Sequence, residues 1–117
     1  MGVTYGDIKE WVLALPGTSE VFVDRWSEYT LRAGEKILVI GDSERATATV
    51  KASVQDQAEL VAGAPDTYAK AAYVGRYGWV TVTLANADAG ELRRVIEDAW
   101  RAAAPKKIVK AYDSAQA

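Results

Sequence analysis

Any chemistry in this chain has to be done without imidazole or thiol, because its 117 residues include neither histidine nor cysteine. That removes the commonest general base and metal ligand, thiolate metal sites and a cysteine nucleophile. Ser19, Ser27, Ser43 and Ser53 have no histidine to activate them, which excludes a Ser-His-Asp hydrolase triad. Glu97-Asp98 and the Glu20…Asp24 pair lack the ligand or glycine-loop context of a metal or acid–base site, so they read as surface charge. Gly75-Arg76-Tyr77-Gly78 is not a phosphate loop: it precedes a strand, whereas those loops follow a strand and open a helix.

What remains is a cation among aromatic rings. Arg76 has Tyr73 ahead of it and Tyr77 and Trp79 behind. One reading is a contact surface, with rings to stack on bases or a partner and a guanidinium for phosphate. The other is packing, with Trp79 filling a core or helix-facing cleft and Arg76 lying on a tyrosine ring. Trp79 fits packing better, since large aromatics are mostly buried; Arg76 stays open between the two. Lys106, Lys107 and Lys110 form a second basic group. They suit either a phosphate clamp or favourable charge at a helix C-terminus.

The segment from Ala72 to Leu84 must position the first group. It starts as a glycine-punctuated loop and ends as an alternating strand, with Trp79, Thr81 and Thr83 on one face and Val80, Val82 and Leu84 on the other. Upstream, Thr4 caps a helix with Asp7 three residues on, and Ile8, Trp11, Val12 and Leu15 recur at helical spacing until Pro16-Gly17. The period then changes to two. Glu20–Asp24, Tyr29–Ala33, Lys36–Gly41 and Ala46–Ala52 are strand candidates joined by hairpins, with Ile37, Val39, Ala46, Ala48 and Val50 as the expected buried row. Ser53 caps a second helix whose apolar side is read as Val54, Ala58, Leu60 and Val61, and residues 66–76 read as loop. Asp88 caps a third helix with the stripe Leu92, Val95, Ile96, Ala99 and Ala103, and Trp100 at its margin. Pro105 ends that helix, and residues 113–117 read as a frayed tail.

The bulk numbers suit one domain of ordinary globular composition. Net charge is −2, split as −5 over residues 1–66 and +3 over residues 67–117, so the second half, if gathered on one face, gives an acidic protein a positive local field. No apolar run approaches a membrane span, and no basic-then-apolar leader opens the chain. The expectation is a cytoplasmic, non-enzymatic monomer without membrane, cofactor or metal.

Four pieces together resemble a known family. These are Ala14-Leu15-Pro16-Gly17-Thr18-Ser19-Glu20, the hairpin Arg32-Ala33-Gly34-Glu35-Lys36-Ile37, the segment Tyr73-Val74-Gly75-Arg76-Tyr77-Gly78-Trp79-Val80, and Ala104-Pro105-Lys106-Lys107. Their order and spacing are similar to the MmcQ/YjbR family over roughly residues 4–108. The resemblance implies an α+β fold, a single domain spanning residues 1–117, with a curved antiparallel sheet and helices packed on one side, similar to secretion-chaperone and double-wing arrangements. It implies no established reaction, and a description as DNA-binding or connected with mitomycin resistance. Gly78 stands where some members carry a histidine. The expected function is weak, salt-dependent DNA binding through Arg76, Tyr73, Tyr77, Lys106, Lys107 and Lys110. The alternatives are a protein-interaction module on the open sheet face and a small-molecule binding protein.

Overall fold

The computed structural model describes residues 2–116. Helix α1 (Tyr5–Leu13) is followed by strands β1 (Thr18–Val23), β2 (Glu28–Ala33), β3 (Lys36–Gly41) and β4 (Thr47–Val50), then helix α2 (Val54–Gly63). Strand β5 (Tyr68–Lys70), strand β6 (Val80–Thr83) and helices α3 (Ala89–Ala103) and α4 (Lys106–Gln116) complete the chain. The six strands form one sheet in the order β1-β2-β3-β4-β6-β5, every neighbouring pair antiparallel. This is an α+β domain, and the switch from helical period to alternation and back lies where the residue pattern puts it.

The caps act as their residue types dictate. Thr4 Oγ1 accepts from Asp7 N while the Asp7 carboxylate accepts from Thr4 N, which satisfies two donors that α1 would otherwise leave open. Ser53 and Asp88 each accept from the third backbone N–H of their helices.

One face of the sheet carries the core. Leu31, Val39, Val50 and Val80 lie side by side across β2, β3, β4 and β6, all without solvent contact, and Ile8, Val12, Leu92 and Ile96 of the helices are buried in the same core. Each such side chain stabilises the fold by about 1.5–3 kcal/mol when fully buried. The opposite row, Val21, Thr30, Ile40, Thr49, Thr81 and Ala69, runs across all six strands. Thr30 is buried there, its hydroxyl donating to Val21 O and accepting from Arg32 Nε; its row neighbours keep some solvent contact.

Several expectations are corrected. Ala46 is exposed because it precedes β4 in the turn, and Ile37 is only half-buried. The reason for Ile37 is a bulge: Arg32 faces Ile37 and Leu31 faces Val39, so Leu38 is an extra residue and is buried beside Val39. In α2, Val54 and Ala58 point to solvent, and the one buried residue is Gln57. Within the expected 66–76 loop lies strand β5, whose Tyr68 is buried and donates its hydroxyl to Glu91 Oε1 at 2.9 Å. Burial and that carboxylate hold the Tyr68 phenol above its ordinary range, as burial and Glu20 do for Tyr5.

Trp100 does not sit at a helix margin. It is fully buried, its indole N–H donates to Pro16 O at 3.0 Å, and Tyr112 packs edge-on against its ring at 5.1 Å. Pro105 ends α3 as expected and separates it from a further helix. It forces Ala104 into an extended conformation (ψ 151°), and its own carbonyl accepts from Ile108 and Val109 to start α4. The expected frayed tail is therefore helical through Gln116, while Ala117 lies outside the described residues. Among the described residues no helix is long and apolar enough to cross a membrane.

Candidate functional site

The segment between β5 and β6 is a loop tied down at its base, with an exposed tip. A 3-10 turn at Gly75–Tyr77 closes on itself through Gly78 N to Gly75 O, and Ala71 N reaches Trp79 O across the loop's base. Gly78 has φ 102°, and a Cβ there would run into the Ala52 carbonyl oxygen, so this backbone lies directly against the β4–α2 connection. Gln57 locks the arrangement from α2: its side-chain amide donates to Gly75 O at 2.6 Å and to Trp79 O at 2.7 Å. Lys51, just after β4, donates to Tyr77 O at 2.9 Å with its ammonium 5.5 Å from the centre of the Trp79 ring.

On this base the loop presents its side chains outward. Tyr73 is 98% exposed on a backbone with φ 61°, a region non-glycine residues seldom occupy, and Tyr77 is 55% exposed. The Arg76 guanidinium lies 4.8 Å over the Tyr77 ring, and Trp79 is half-buried. The aliphatic stem of Lys70 packs against Gly75, and Lys36 and Lys51 border the same cleft as Tyr77. Among the described residues none of Lys36, Lys51, Lys70 and Arg76 forms an ion pair. Exposed rings surrounded by unpaired cations can stack on planar groups and hold phosphates.

The second basic group is elsewhere on the surface. Lys106, Lys107 and Lys110 are exposed on α4, and Lys106 and Lys110 border a shallow depression with Arg101 and Asp113 that shares no residue with the cleft at Tyr77. Arg101 bridges Asp113 at 2.8 Å and Glu97 at 3.1 Å, which raises the guanidinium's pKa and lowers that of Asp113. Lys106 and Lys107 occupy the first turn of α4, not a helix C-terminus as the sequence suggested, so the helix dipole does not account for them.

Tyr73, Arg76 and Tyr77 therefore share one loop, while the three α4 lysines form a separate patch with a carboxylate in it. Sequence reasoning missed Gln57 and the cations Lys36, Lys51 and Lys70. A signal for Gln57 was available: Gln57, Leu60, Val61 and Ala64 fall at i, i+3, i+4 and i+7, which puts the amide on the buried line of α2. Lys36 comes from β3, Lys70 from β5 and Lys51 from just after β4, and only strand pairing brings them to the loop. Among the described residues no group of three or more acidic side chains is placed to hold a metal ion.

The YjbR family model matches residues 13–102 of the chain. Among solved structures, the Deinococcus radiodurans protein DR2400, with its DUF419 domain, shares the fold at a TM-score of 0.75 and 20% identity. The match covers 84% of this chain and 76% of that one. No curated protein matches.

Proposed function

The chain belongs to the YjbR family, and from that premise we propose that it is a non-catalytic DNA-binding domain that holds DNA through the residue 71–79 loop and the cations around it. The observation that carries this reading is Tyr73. A 98% exposed ring contributes almost nothing to the core, and its backbone (φ 61°) costs about 1 kcal/mol or more. Folding does not explain such a residue, whereas a base stacked on the ring contributes about 1–3 kcal/mol. Tyr77 offers a second ring within four residues, and Arg76, Lys51, Lys70 and Lys36 supply the phosphate contacts. Lys106, Lys107 and Lys110 contribute long-range attraction at most, with Asp113 offsetting them.

Base stacking needs unpaired bases, so single-stranded DNA should bind more tightly than duplex. With a net charge of −2, binding should be weak and fall steeply with salt, because each neutralised phosphate releases counterions. Fluorescence anisotropy of labelled single- and double-stranded oligonucleotides, at low and moderate salt, tests the reading. Arg76→Ala should reduce the salt slope by about one unit. Tyr73→Ala should weaken single-strand binding with little change in slope. Lys106→Ala combined with Lys107→Ala should weaken binding less than Arg76→Ala does. Flat titrations with both DNA forms at low salt would overturn the proposal.

A further inference from the structure

Below Tyr77 lies a cleft of about 520 Å³, floored by Leu38, Ala52, Val95 and Ala99 and opening past Ala102 and Ala103. Its origin is legible in α3: alanine at 99, 102 and 103 leaves open the space that larger side chains would fill against β3. The bulge in β3 turns Leu38 into the floor. The volume falls in the range of small-molecule sites, which are mostly apolar with a few placed polar groups.

The charges around this floor are separated by sign. Lys36 and Lys51 stand on the sheet side, and Asp56 of α2 and Asp98 of α3 on the helix side. Among the described residues none of the four is in an ion pair, so the cleft holds opposite charges apart. Lys51 is fixed by its bond to Tyr77 O, and its ammonium keeps further donors free. The half-exposed Tyr77 ring forms part of the wall.

We infer that this cleft binds a small zwitterion with an apolar body, its anionic end toward Lys36 and Lys51 and its cationic end toward Asp56 and Asp98. The apolar body displaces water from the alanine-lined floor, and each charged end completes a charge-assisted contact that the protein leaves open. A purely anionic or cationic ligand would satisfy one wall and meet like charge at the other. The site shares Lys36, Lys51 and Tyr77 with the surface assigned to DNA, so the two ligands compete there, whereas the apolar floor, Asp56 and Asp98 belong to the cleft alone.

Amide chemical-shift titration of the full chain with the zwitterionic dipeptide phenylalanyl-leucine tests the inference. Two further probes are its N-acetyl derivative, which lacks the cation, and its C-terminal amide, which lacks the anion. Saturable shifts should centre on residues 36–38, 51–53 and 95–103, and each derivative should bind about tenfold more weakly, as expected for one lost charge-assisted contact. Ala102→Trp, at an exposed position on the rim, should abolish the shifts while thermal unfolding stays unchanged. Asp98→Lys should weaken the dipeptide and leave the N-acetyl form unaffected or tighter. No saturable shift with the dipeptide, equal binding of all three probes, or full binding by a folded Ala102→Trp variant would each overturn the inference.

Discussion

Gln57→Leu removes the buried amide that ties α2 to the residue 71–79 loop while keeping similar volume. The lost contacts are the bonds to Gly75 O at 2.6 Å and Trp79 O at 2.7 Å. Neither carbonyl is left without a partner, since Gly75 O still accepts from Gly78 N and Trp79 O from Ala71 N. The full penalty of an orphaned acceptor therefore does not apply, and each lost bond should cost about 1–1.5 kcal/mol, or about 2–3 kcal/mol together. With a urea slope of about 1.5 kcal/mol/M, the unfolding midpoint should fall by about 1.3–2 M. Gln57→Glu keeps the shape but loses the donor when ionised, and it should be at least as damaging. Amide exchange should quicken at Ala71, Tyr77 and Gly78 before other sites, because those bonds hold the loop together. A loss below about 0.5 kcal/mol for Gln57→Leu, the size of an ordinary surface change, would refute the idea that Gln57 clamps the loop.

Ile96→Ala empties part of the core between α3 and the sheet and should cost about 2–4 kcal/mol in thermal or urea unfolding. Gly78→Ala places a Cβ against the Ala52 carbonyl at φ 102° and should destabilise by about 2 kcal/mol or more; neutral behaviour would contradict the close approach. Tyr5 and Tyr68 have phenols held above the ordinary value of 10.0 in the folded state, so the unfolded state ionises first. Their contribution to stability is complete below about pH 10 and declines as pH rises beyond it. Ultraviolet titration should show these two tyrosines ionising only with alkaline unfolding.

Local signals carried much of the fold. Thr4, Ser53 and Asp88 marked the three expected helix starts, and alternation from Val80 to Leu84 sorted buried from exposed residues correctly. The misses came from tertiary context. Pro105 correctly marked the end of α3, but the helix beyond it was missed: Ile108, Val109 and Tyr112 pack on the core and make α4 worth forming. Trp100 falls at i+8 from Leu92 and i+4 from Ile96, on the buried stripe and not at its margin, and its indole N–H meets a partner 84 residues away, the Pro16 carbonyl. The bulge at Leu38 shifted a register that alternation alone could not assign. At the site, Arg76, Tyr73 and Tyr77 were visible because they are adjacent in sequence. Lys36, Lys51 and Lys70 were not, because β-sheet pairing assembles them. Grouping Lys106, Lys107 and Lys110 with the loop rested on charge alone, and the folded surface separates the two patches.

Amide shift mapping with a short single-stranded oligonucleotide at low salt tests whether one loop carries DNA binding. Shifts should concentrate at residues 70–79 and at Lys51 and fade as salt is raised, with α4 little changed. Shifts centred on Lys106–Lys110, or none above those of a matched blank, would contradict it.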